Sequence, residues 1–587
     1  MSFATFKNKS ASSKVVLLEF GVSTAHSFFL NEEPGIWRFQ WRVSEDVTYG
    51  FEVGAFCYGS FENGGTEILT NGNAPINIVS VIVDGTAYTE VASLVNLRAT
   101  NESYWWDDDG VLHVHFDGFA PPWVFSSIKL GLAVNEANKA GVYNGLPYGS
   151  RLTGLSPLSI EADPLFYGVL GYSGLTAELA NADGEFDGLS ALDIFGQVVN
   201  VLYGEEGADY ADFELLYSGL VREFSLDALT FRLEVTDKRR WFAKSIPPAV
   251  FDLITYPDLD PQDAGKPIPL AWGSCDNVPV VCTNELEVTP ASYSFKLCDT
   301  TFHAIKAIDA VRVNGVAVTP ASTTLATATF TLATTDYEPG QTVTADIRGY
   351  ESGGALIENA LDVVADLLED FGSLAYIVDV YDTVEWAAAA ALAPDIQLFI
   401  GESQAIEAAI EKVCVSLDGV MFVKGDGRFT FRYQHAAESI VETIGREEMF
   451  EEPELRYASD NFLSALRLGY DRDHDEGALL THVDDSLDAT FQALYGMTYR
   501  YEAETLLNIL ADVEDLAASL LATYARVATW TRIQTSIEHI QLELMDDVTV
   551  NLDRAAKPRF GEVDMRVYGI RKDVMAGTVE LTLRGLA

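Results

Sequence analysis

A proline-containing segment near the middle of the chain, Gly265-Lys-Pro-Ile-Pro-Leu-Ala-Trp-Gly273, constrains the fold more than any other part of the sequence. Pro267 and Pro269 fix two backbone φ angles and remove two N–H donors, so residues 266–270 must be extended and cannot be helical. Such a segment belongs at the edge of a sheet. Trp272 and the apolar residues 278–281 predict a buried strand beyond it, with Gly273 at a turn. The segment therefore predicts a joint between modules, and it carries no catalytic chemistry.

Most of the chain has the pattern of short strands separated by turns. Apolar and polar residues alternate, as half-buried strands require, at residues 36–43, 111–116, 213–222 and 229–236. Asn314-Gly315 at the centre of residues 310–318 predicts a tight hairpin. The last strands are predicted at residues 548–552, 562–570 and 578–583. We therefore predict a mainly β (α+β) fold with several β-barrel or β-sandwich domains.

Helical periodicity is confined to the second half of the chain. Residues 356–372 place apolar side chains at helical spacing and end at Gly372, which predicts one amphipathic helix. Shorter helices are predicted at residues 387–392 and 402–417, followed by a hairpin, which makes a small α/β module. A further helix is predicted at residues 503–521, with Leu506, Leu510, Val513, Leu516 and Leu520 as its buried stripe.

The chain is strongly acidic, with 88 Asp and Glu against 38 Lys and Arg and a formal net charge of −50. This charge argues against a nucleic-acid backbone or an anionic membrane as a direct partner. Three explanations stay open: a solvated surface that favours solubility, a negatively lined passage that a polyanion crosses without binding, and chance composition. From Arg526 onward acidic and basic residues balance, which predicts either a packed or partner-facing surface or a neutral solvated one.

One segment has the composition of a glycan-binding site. Trp105 and Trp106 are followed by Asp107, Asp108 and Asp109, and aromatic platforms beside carboxylates are used to bind sugars. The competing interpretation is a hairpin loop with one tryptophan folded onto the core. These five residues are the candidate glycan contacts.

Three other patterns resemble metal sites, and each lacks a required feature. His113 and His115 share a strand face without a third ligand at a defined spacing. The turn at residues 180–187 lacks the bidentate glutamate of a calcium loop. The third pattern is the set Cys275, Cys282, Cys298 and His303. It lacks the closely spaced cysteine pair that structural zinc sites use. We therefore predict no metal and no cofactor, although a metal at the three cysteines stays open.

Catalytic and membrane signatures are missing from the sequence. It contains no H-E-x-x-H, no G-x-S-x-G and no cysteine with an evident histidine partner, so we predict no catalytic residues and no enzymatic activity. Its five cysteines fit folding in a reducing compartment. No stretch reaches the roughly 18 apolar residues of a membrane span.

Several segments, taken in order, resemble the hub or tail-tip proteins of bacteriophage tails, the family that includes the trimeric baseplate hub and that also occurs in gene transfer agents. The likeness runs from about residue 155 to the end and lies in the order of the motifs rather than in any one of them. The segments are Asp163-Pro-Leu-Phe-Tyr-Gly168, Leu179-Ala-Asn-Ala-Asp-Gly-Glu-Phe-Asp187, Gly265 to Gly273 with Asn277-Val-Pro-Val280, Leu361-Asp-Val-Val-Ala-Asp-Leu-Leu368, and Gly577-Thr-Val-Glu-Leu-Thr-Leu-Arg-Gly585.

The resemblance implies a homotrimer whose paired barrel-like domains form a ring that continues or closes the tail tube. Its implied partners are the distal tail or tube protein, the tape-measure protein, and tail fibre or spike proteins. DNA would pass through the ring during ejection without specific binding, and an acidic lining would repel phosphates over about a Debye length of 10 Å. The implied location is the virion tail tip or baseplate, after assembly in the host cytoplasm. The alternative is a β-domain host-surface adhesin or carbohydrate-active enzyme.

The sequence divides into five predicted units, somewhat more than the four expected at roughly 150 residues per domain. They are an N-terminal β domain of uncertain role at 1–155, a first hub β-barrel region at 156–264, a β domain at 265–350, a small α/β domain at 351–440, and a second hub β-barrel region at 441–587.

Overall fold

The computed structural model describes most of the chain from residue 146 onward and separate segments before it. The described N-terminal segments are 14–24, 29–33, 36–39, 76–83, 86–87, 89–90, 103–106, 112–115 and 128–143. Residues 146–586 are described except for 185, 187–193, 207, 240–243, 373–380, 436–438, 459–461 and 554–560. The fold of this part is mainly β with several sheets and a few helices, as the sequence predicts.

The first large sheet joins N-terminal strands to the region of residues 152–236. The strands of this part are β1 (Lys14–Thr24), β2 (Phe29–Glu33), β3 (Ile36–Phe39), β4 (Ile76–Val83), β5 (Thr86–Ala87), β6 (Thr89–Glu90), β7 (Ser103–Trp106), β8 (Leu112–His115), β9 (Ile128–Ala137), β10 (Gly141–Tyr143), β11 (Leu146–Tyr148), β12 (Leu152–Leu155), β13 (Leu158–Glu161), β14 (Gly168–Leu170), β15 (Leu175–Ala180), β16 (Val198–Glu205), β17 (Glu214–Leu226) and β18 (Thr230–Thr236). Nine of them form the first sheet in the order β12-β15-β18-β17-β16-β1-β9-β4-β5. A second N-terminal sheet has the order β2-β3-β8-β7-β6, and β10 pairs with β11.

The middle of the chain carries small sheets and helices. Its elements are β19 (Ser245–Ile246), β20 (Leu270–Trp272), β21 (Ser274–Pro279), β22 (Val281–Cys282), β23 (Ser292–Lys296), β24 (Ile305–Val313), β25 (Val316–Val318), β26 (Ser322–Thr324), β27 (Thr329–Ala333), β28 (Val343–Ser352), β29 (Ala355–Leu356), α1 (Ala360–Asp366), α2 (Thr383–Ala390), β30 (Leu398–Ile400), β31 (Gln404–Ala405), α3 (Ile406–Leu417), β32 (Gly419–Val423) and β33 (Phe429–Tyr433). The sheets are β21-β28-β24-β25 with β29 beside β28, β22-β23-β27-β26, and β14-β32-β33. Two short pairs, β19-β31 and β20-β30, complete this part.

The helix predicted at residues 356–372 is present as α1 and the turn that follows it. Asn359 caps it, because its side-chain oxygen accepts hydrogen bonds from two backbone N–H groups of the first turn. The helix continues as a π-helical turn over Leu367–Phe371 and ends at Gly372, where the sequence predicts the end. The predicted stripe of Leu361, Val364, Leu368 and Phe371 is buried.

The second large sheet is built from the C-terminal part of the chain. Its region contains β34 (Ile440–Ile444), β35 (Glu454–Ala458), β36 (Ala465–Arg472), β37 (Leu479–Asp484), α4 (Asp488–Tyr495), β38 (Arg500–Glu504), α5 (Leu510–Tyr524), β39 (Ala528–Ser536), β40 (Asp547–Asn551), β41 (Glu562–Asp573) and β42 (Thr578–Gly585). The large sheet has the order β34-β40-β41-β42-β39-β35, and β37-β36-β38 forms a smaller one. The three predicted C-terminal strands are present as β40, β41 and β42.

The helix predicted at residues 503–521 starts and ends later than predicted. It begins at Leu510 and ends at Tyr524. The start is later than predicted because residues 500–504 pair in parallel with β36 and are therefore a strand. Val513, Leu516 and Leu520 are buried as predicted, whereas Leu510 at the first turn is 43% exposed. Pairing with a distant strand decided the conformation of residues 500–504, which local periodicity does not reveal.

Strand β13 connects the two large sheets. The chain leaves β12 in the first sheet and, two residues later, enters β13, which pairs antiparallel with residues 569–572 of β41 in the second sheet. Leu158 and Ile160 of β13 are buried in a hydrophobic core that contains residues of both sheets. A second core gathers the middle sheets with helices α1, α3 and α5. The two large sheets, far apart in sequence, are thus packed around one common core.

Candidate functional site

The candidate glycan residues fall partly within the described chain. Trp105 and Trp106 are the last residues of β7, where they lie opposite His113 and Leu112 of β8 in the backbone register. Asp107, Asp108 and Asp109 lie outside the described residues. The structure therefore places the tryptophans at the end of a strand, and the glycan site stays a prediction.

The proline segment, the predicted joint, is bridged at Pro267 and leads into a buried strand as the sequence predicts, while its place between modules stays a prediction. Pro267 makes an isolated antiparallel bridge with Val250, and β20 follows directly and pairs with β30. Trp272 is completely buried, and its indole packs edge-on against Tyr350 and Phe371 at ring-centroid distances of 5.1 and 6.0 Å. Gly273 follows with a φ of +68°, and a Cβ there would lie 1.9 Å from a backbone oxygen, so only glycine fits. The joint is fixed by packing.

Buried polar contacts hold the seam between the two large sheets, which we define as β13, β41 and the side chains of Tyr172, Glu543 and Lys572. Lys572 Nζ lies 3.0 Å from Glu543 Oε1 and 5.3 Å from the centre of the Tyr172 ring. Tyr172 donates its hydroxyl hydrogen to Glu543 Oε2 at 2.6 Å. Burial, followed by the Glu543 charge, raises the pKa of Tyr172 well above its usual value. Tyr172 therefore stays a neutral hydrogen-bond donor across the seam.

A second polar group ties the C-terminal sheet to the middle of the chain. Arg566 is buried and makes a two-pronged ion pair with Asp547 at 2.7 and 2.9 Å. The same guanidinium donates to the backbone oxygens of Tyr433, the last residue of β33, and of Gln434. Together with Lys572 and Arg584, which are also buried, Arg566 supports the packed interpretation of the charge-balanced C-terminal region.

A cluster of three metal-ligating side chains lies beside the joint. His303, in the loop before β24, places Nε2 at 2.7 Å from Asp366 Oδ1 and 2.8 Å from Asp370 Oδ2. Trp272 donates its indole N–H to the other oxygen of Asp366 at 2.7 Å. Burial and the nearby Asp366 charge raise the pKa of Asp370, although His303 lowers it. Among the described residues this is the group whose ligand atoms lie close enough together to share an ion.

Cys275, Cys282 and Cys298, which lie near His303 in the sequence, are buried free thiols. The structure brings His303 to the carboxylates of Asp366 and Asp370. Burial raises the pKa of Cys282 and Cys298 to about 12, so these thiols stay protonated at neutral pH. The spacing of Asp366 and Asp370, one helical turn apart, was the available signal for the carboxylate pair. Nothing in the sequence indicates that His303 meets that pair.

A polar cavity of about 360 Å³ lies between the middle of the chain and the β36–β38 sheet. Its lining includes two acidic residues, Glu402 and Glu504, and two basic residues, Lys412 and Arg472. His474 also lines it. Burial and the neighbouring Arg472 lower the pKa of His474 to about 4, so this imidazole is neutral at neutral pH. No local sequence pattern indicates this cavity, because its lining comes from two separate segments, within residues 397–412 and 472–506.

Comparisons with known proteins identify structural neighbours only. No protein-family model and no curated protein matches the chain. A tail protein from Neisseria meningitidis MC58 is similar over 75% of this chain and 94% of its own, with 10% sequence identity and a TM-score of 0.37. A chain of a native gene transfer agent virion is similar over 58% of this chain and 88% of its own, with 12% identity and a TM-score of 0.39. The 43 kDa tail protein of prophage MuSo2 from Shewanella oneidensis is similar over 76% of this chain and 95% of its own, with 11% identity and a TM-score of 0.33.

The structural neighbours are thus phage tail proteins and a gene transfer agent virion, the class of protein that the sequence resembles. In the described part of the chain, no helix has the length and apolar character needed to cross a bilayer.

Proposed function

We propose that this chain is a structural hub of a phage or phage-like tail, where three copies form a ring at the tail tip or baseplate. The observation that carries the proposal is the seam: β13 leaves the first large sheet and pairs with β41 of the second. A wall that must stay intact while DNA and tape-measure protein pass needs its two sheets fixed to each other. A shared core and an inter-sheet strand provide this rigidity.

An exposed sheet edge supports association between copies. Strand β35 ends the second large sheet and pairs on one side with β39. Tyr457 on β35 is 61% exposed, and Phe450, whose N–H bonds to Gln534 of β39 along the same edge, is 57% exposed. An open edge with two exposed aromatic side chains can pair with another chain, and a head-to-tail contact repeated by rotation closes a ring.

The acidic composition supports a passage that does not retain DNA. With a net charge of −50 per chain, three copies surround the channel with a strongly negative potential. Arg566 is buried in an ion pair with the buried Asp547, so this pair leaves the charge at the surface unchanged. Phosphates would therefore be repelled by the wall.

The proposed partners follow from the position in the particle. The tube or distal tail protein would contact one face of the ring, tail fibre or spike proteins the other, and the tape-measure protein would occupy the channel before ejection. In this proposal the chain acts by assembly and carries no catalytic residue.

Electron microscopy of the purified full-length protein tests the proposal. We expect closed rings with threefold symmetry and a central channel wide enough for duplex DNA. Open chains or isolated particles without a channel, at protein concentrations at which association is complete, would count against the hub assignment.

A further inference from the structure

We propose that His303, Asp366 and Asp370 bind one divalent transition-metal ion of the zinc class, which fastens the loop before β24 to the end of helix α1. The ligand atoms come from two separate segments, the loop before β24 and the end of α1 with the turn that follows it. Nε2 of His303 already lies within 2.7 and 2.8 Å of one oxygen from each carboxylate. All three ligand atoms lie within 4.8 Å of one another.

The backbone places both carboxylates on one side of the helix. Asp366 is the last residue of α1, and Asp370 lies four residues later in the π-helical turn Leu367–Phe371. Residues four apart share a helix face. Single π-helical turns are rare in proteins, but those that occur are often at functional sites. Such a turn changes the direction of side chains relative to an α-helix.

The hydrogen bonding of the cluster leaves one oxygen without a donor. Nε2 of an imidazole carries at most one hydrogen, and the hydrogen bond that Nε2 of His303 makes is to Asp366 Oδ1. Asp370 Oδ2 is buried and, among the described residues, has no hydrogen-bond partner despite its short contact with the same nitrogen. No lysine or arginine of the described chain forms an ion pair with Asp366 or Asp370. A cation would satisfy this oxygen and neutralise the two neighbouring carboxylates.

Trp272 provides the outer support that metal ligands usually have. Its indole N–H donates to Asp366 Oδ2, which turns Oδ1 towards His303. The indole itself is held by Tyr350 and Phe371. The position of Asp366 is therefore fixed before any ion binds.

One imidazole with two carboxylates suits zinc better than magnesium or calcium, which prefer oxygen ligands alone. Zinc bonds of about 2.0–2.1 Å at tetrahedral angles separate the ligand atoms by about 3.3 Å. The cluster would therefore open by about half an ångström. Three protein ligands leave a fourth position for water on the side where these side chains remain 12–24% exposed.

Zinc titration of the chelator-treated full-length protein tests the site. Millimolar-range magnesium should be present throughout, because a chain with so many surface carboxylates binds cations weakly at many places. We expect one tightly bound zinc per chain and a higher melting temperature in its presence. His303→Gln and Asp370→Asn should each weaken zinc binding at least about tenfold, as loss of a ligand does. Glu369→Gln is the matched control, because it removes an exposed carboxylate from the same turn and should bind zinc normally.

Cobalt substitution provides a second measurement that needs no variant. The Co²⁺-loaded protein should show the intense visible absorption of a low-coordinate site with a nitrogen ligand. Any one of three results would overturn the proposal. The His303→Gln protein could bind zinc as tightly as the parent, or the Glu369→Gln protein could lose zinc binding to the same extent as the ligand variants. The third is a cobalt spectrum of the hydrated octahedral ion.

Discussion

Trp272 illustrates how much a single residue contributes to this architecture. It follows the two prolines of the joint, fills the core between Tyr350 and Phe371, and donates a hydrogen bond to Asp366. The sequence predicted its burial and the turn at Gly273. It did not predict the hydrogen bond, because Asp366 lies 94 residues further along the chain. Local patterns define the environment of a residue, whereas its distant polar partner depends on the tertiary fold.

At the residue scale, His474 should make stability depend on pH. Its pKa is lowered from 6.5 to about 4 in the folded chain, mainly by burial. The unfolded chain therefore takes up a proton at a higher pH than the folded one, and the contribution of His474 to stability is complete above pH 6.5 and is lost as the pH falls towards 4. The loss amounts to at most about 3 kcal/mol.

His474→Phe tests this dependence, because the ring of His474 packs 5.2 Å from Phe399 and a phenyl ring preserves that contact. Urea unfolding between pH 4 and 7 should show a smaller pH slope for the variant than for the parent. Arg472, which lowers the pKa, and Asp473, which raises it, are unchanged in both proteins. Identical slopes would show that His474 does not titrate differently on folding.

At the element scale, the seam predicts a strong coupling between Lys572 and Glu543. Lys572→Met leaves Glu543 buried beside Tyr172 without its cation, and breaking such a pair costs about 3–5 kcal/mol. The double variant Lys572→Met/Glu543→Gln should recover a large part of this loss, because no unpaired charge remains. Denaturant unfolding of the four proteins gives the coupling free energy. A single variant within about 0.5 kcal/mol of the parent would contradict a stabilising seam.

The exposed edge at β35 gives a second prediction at this scale. Tyr457→Lys combined with Phe450→Glu places charges along the edge, which blocks strand pairing between chains. We expect the variant to keep its circular dichroism spectrum and to lose its rings in electron micrographs. Val288→Lys is a matched control, since Val288 is 95% exposed and lies away from that sheet. Intact rings in the edge variant would mean that copies associate through another surface.

The elements themselves differ in how well their sequences predict them. Strands β17 and β18, the Asn314-Gly315 hairpin and α1 follow from alternation, turn residues and helical spacing, because these patterns act over a few residues. Residues 503 and 504 were predicted as the start of a helix and instead belong to a strand, because residues 500–504 pair with β36. The switch of β13 between sheets and the convergence of His303 on Asp366 and Asp370 are long-range, so no local pattern encodes them.

At the scale of the whole molecule, the structure shows that three basic side chains of the C-terminal region are buried. The balanced C-terminal region buries Arg566, Lys572 and Arg584 in ion pairs, hydrogen bonds and aromatic contacts, whereas Arg532 and Arg571 are exposed. The acidic excess belongs to the rest of the chain. In a ring, that excess would surround DNA with like charge, and stiffness would come from the shared core and from the seam between the sheets.

Native mass spectrometry of the purified full-length protein tests the central claim most directly. The hub account predicts a dominant species at three times the 64.2 kDa mass of one chain, with little monomer at concentrations well above the dissociation constant. Because the proposed contact at the β35 edge is made by backbone pairing and by Tyr457 and Phe450, the trimer should persist at high salt, which screens surface charges and weakens repulsion between acidic copies. A monomer or a dimer as the final state, at both low and high salt, would contradict the account.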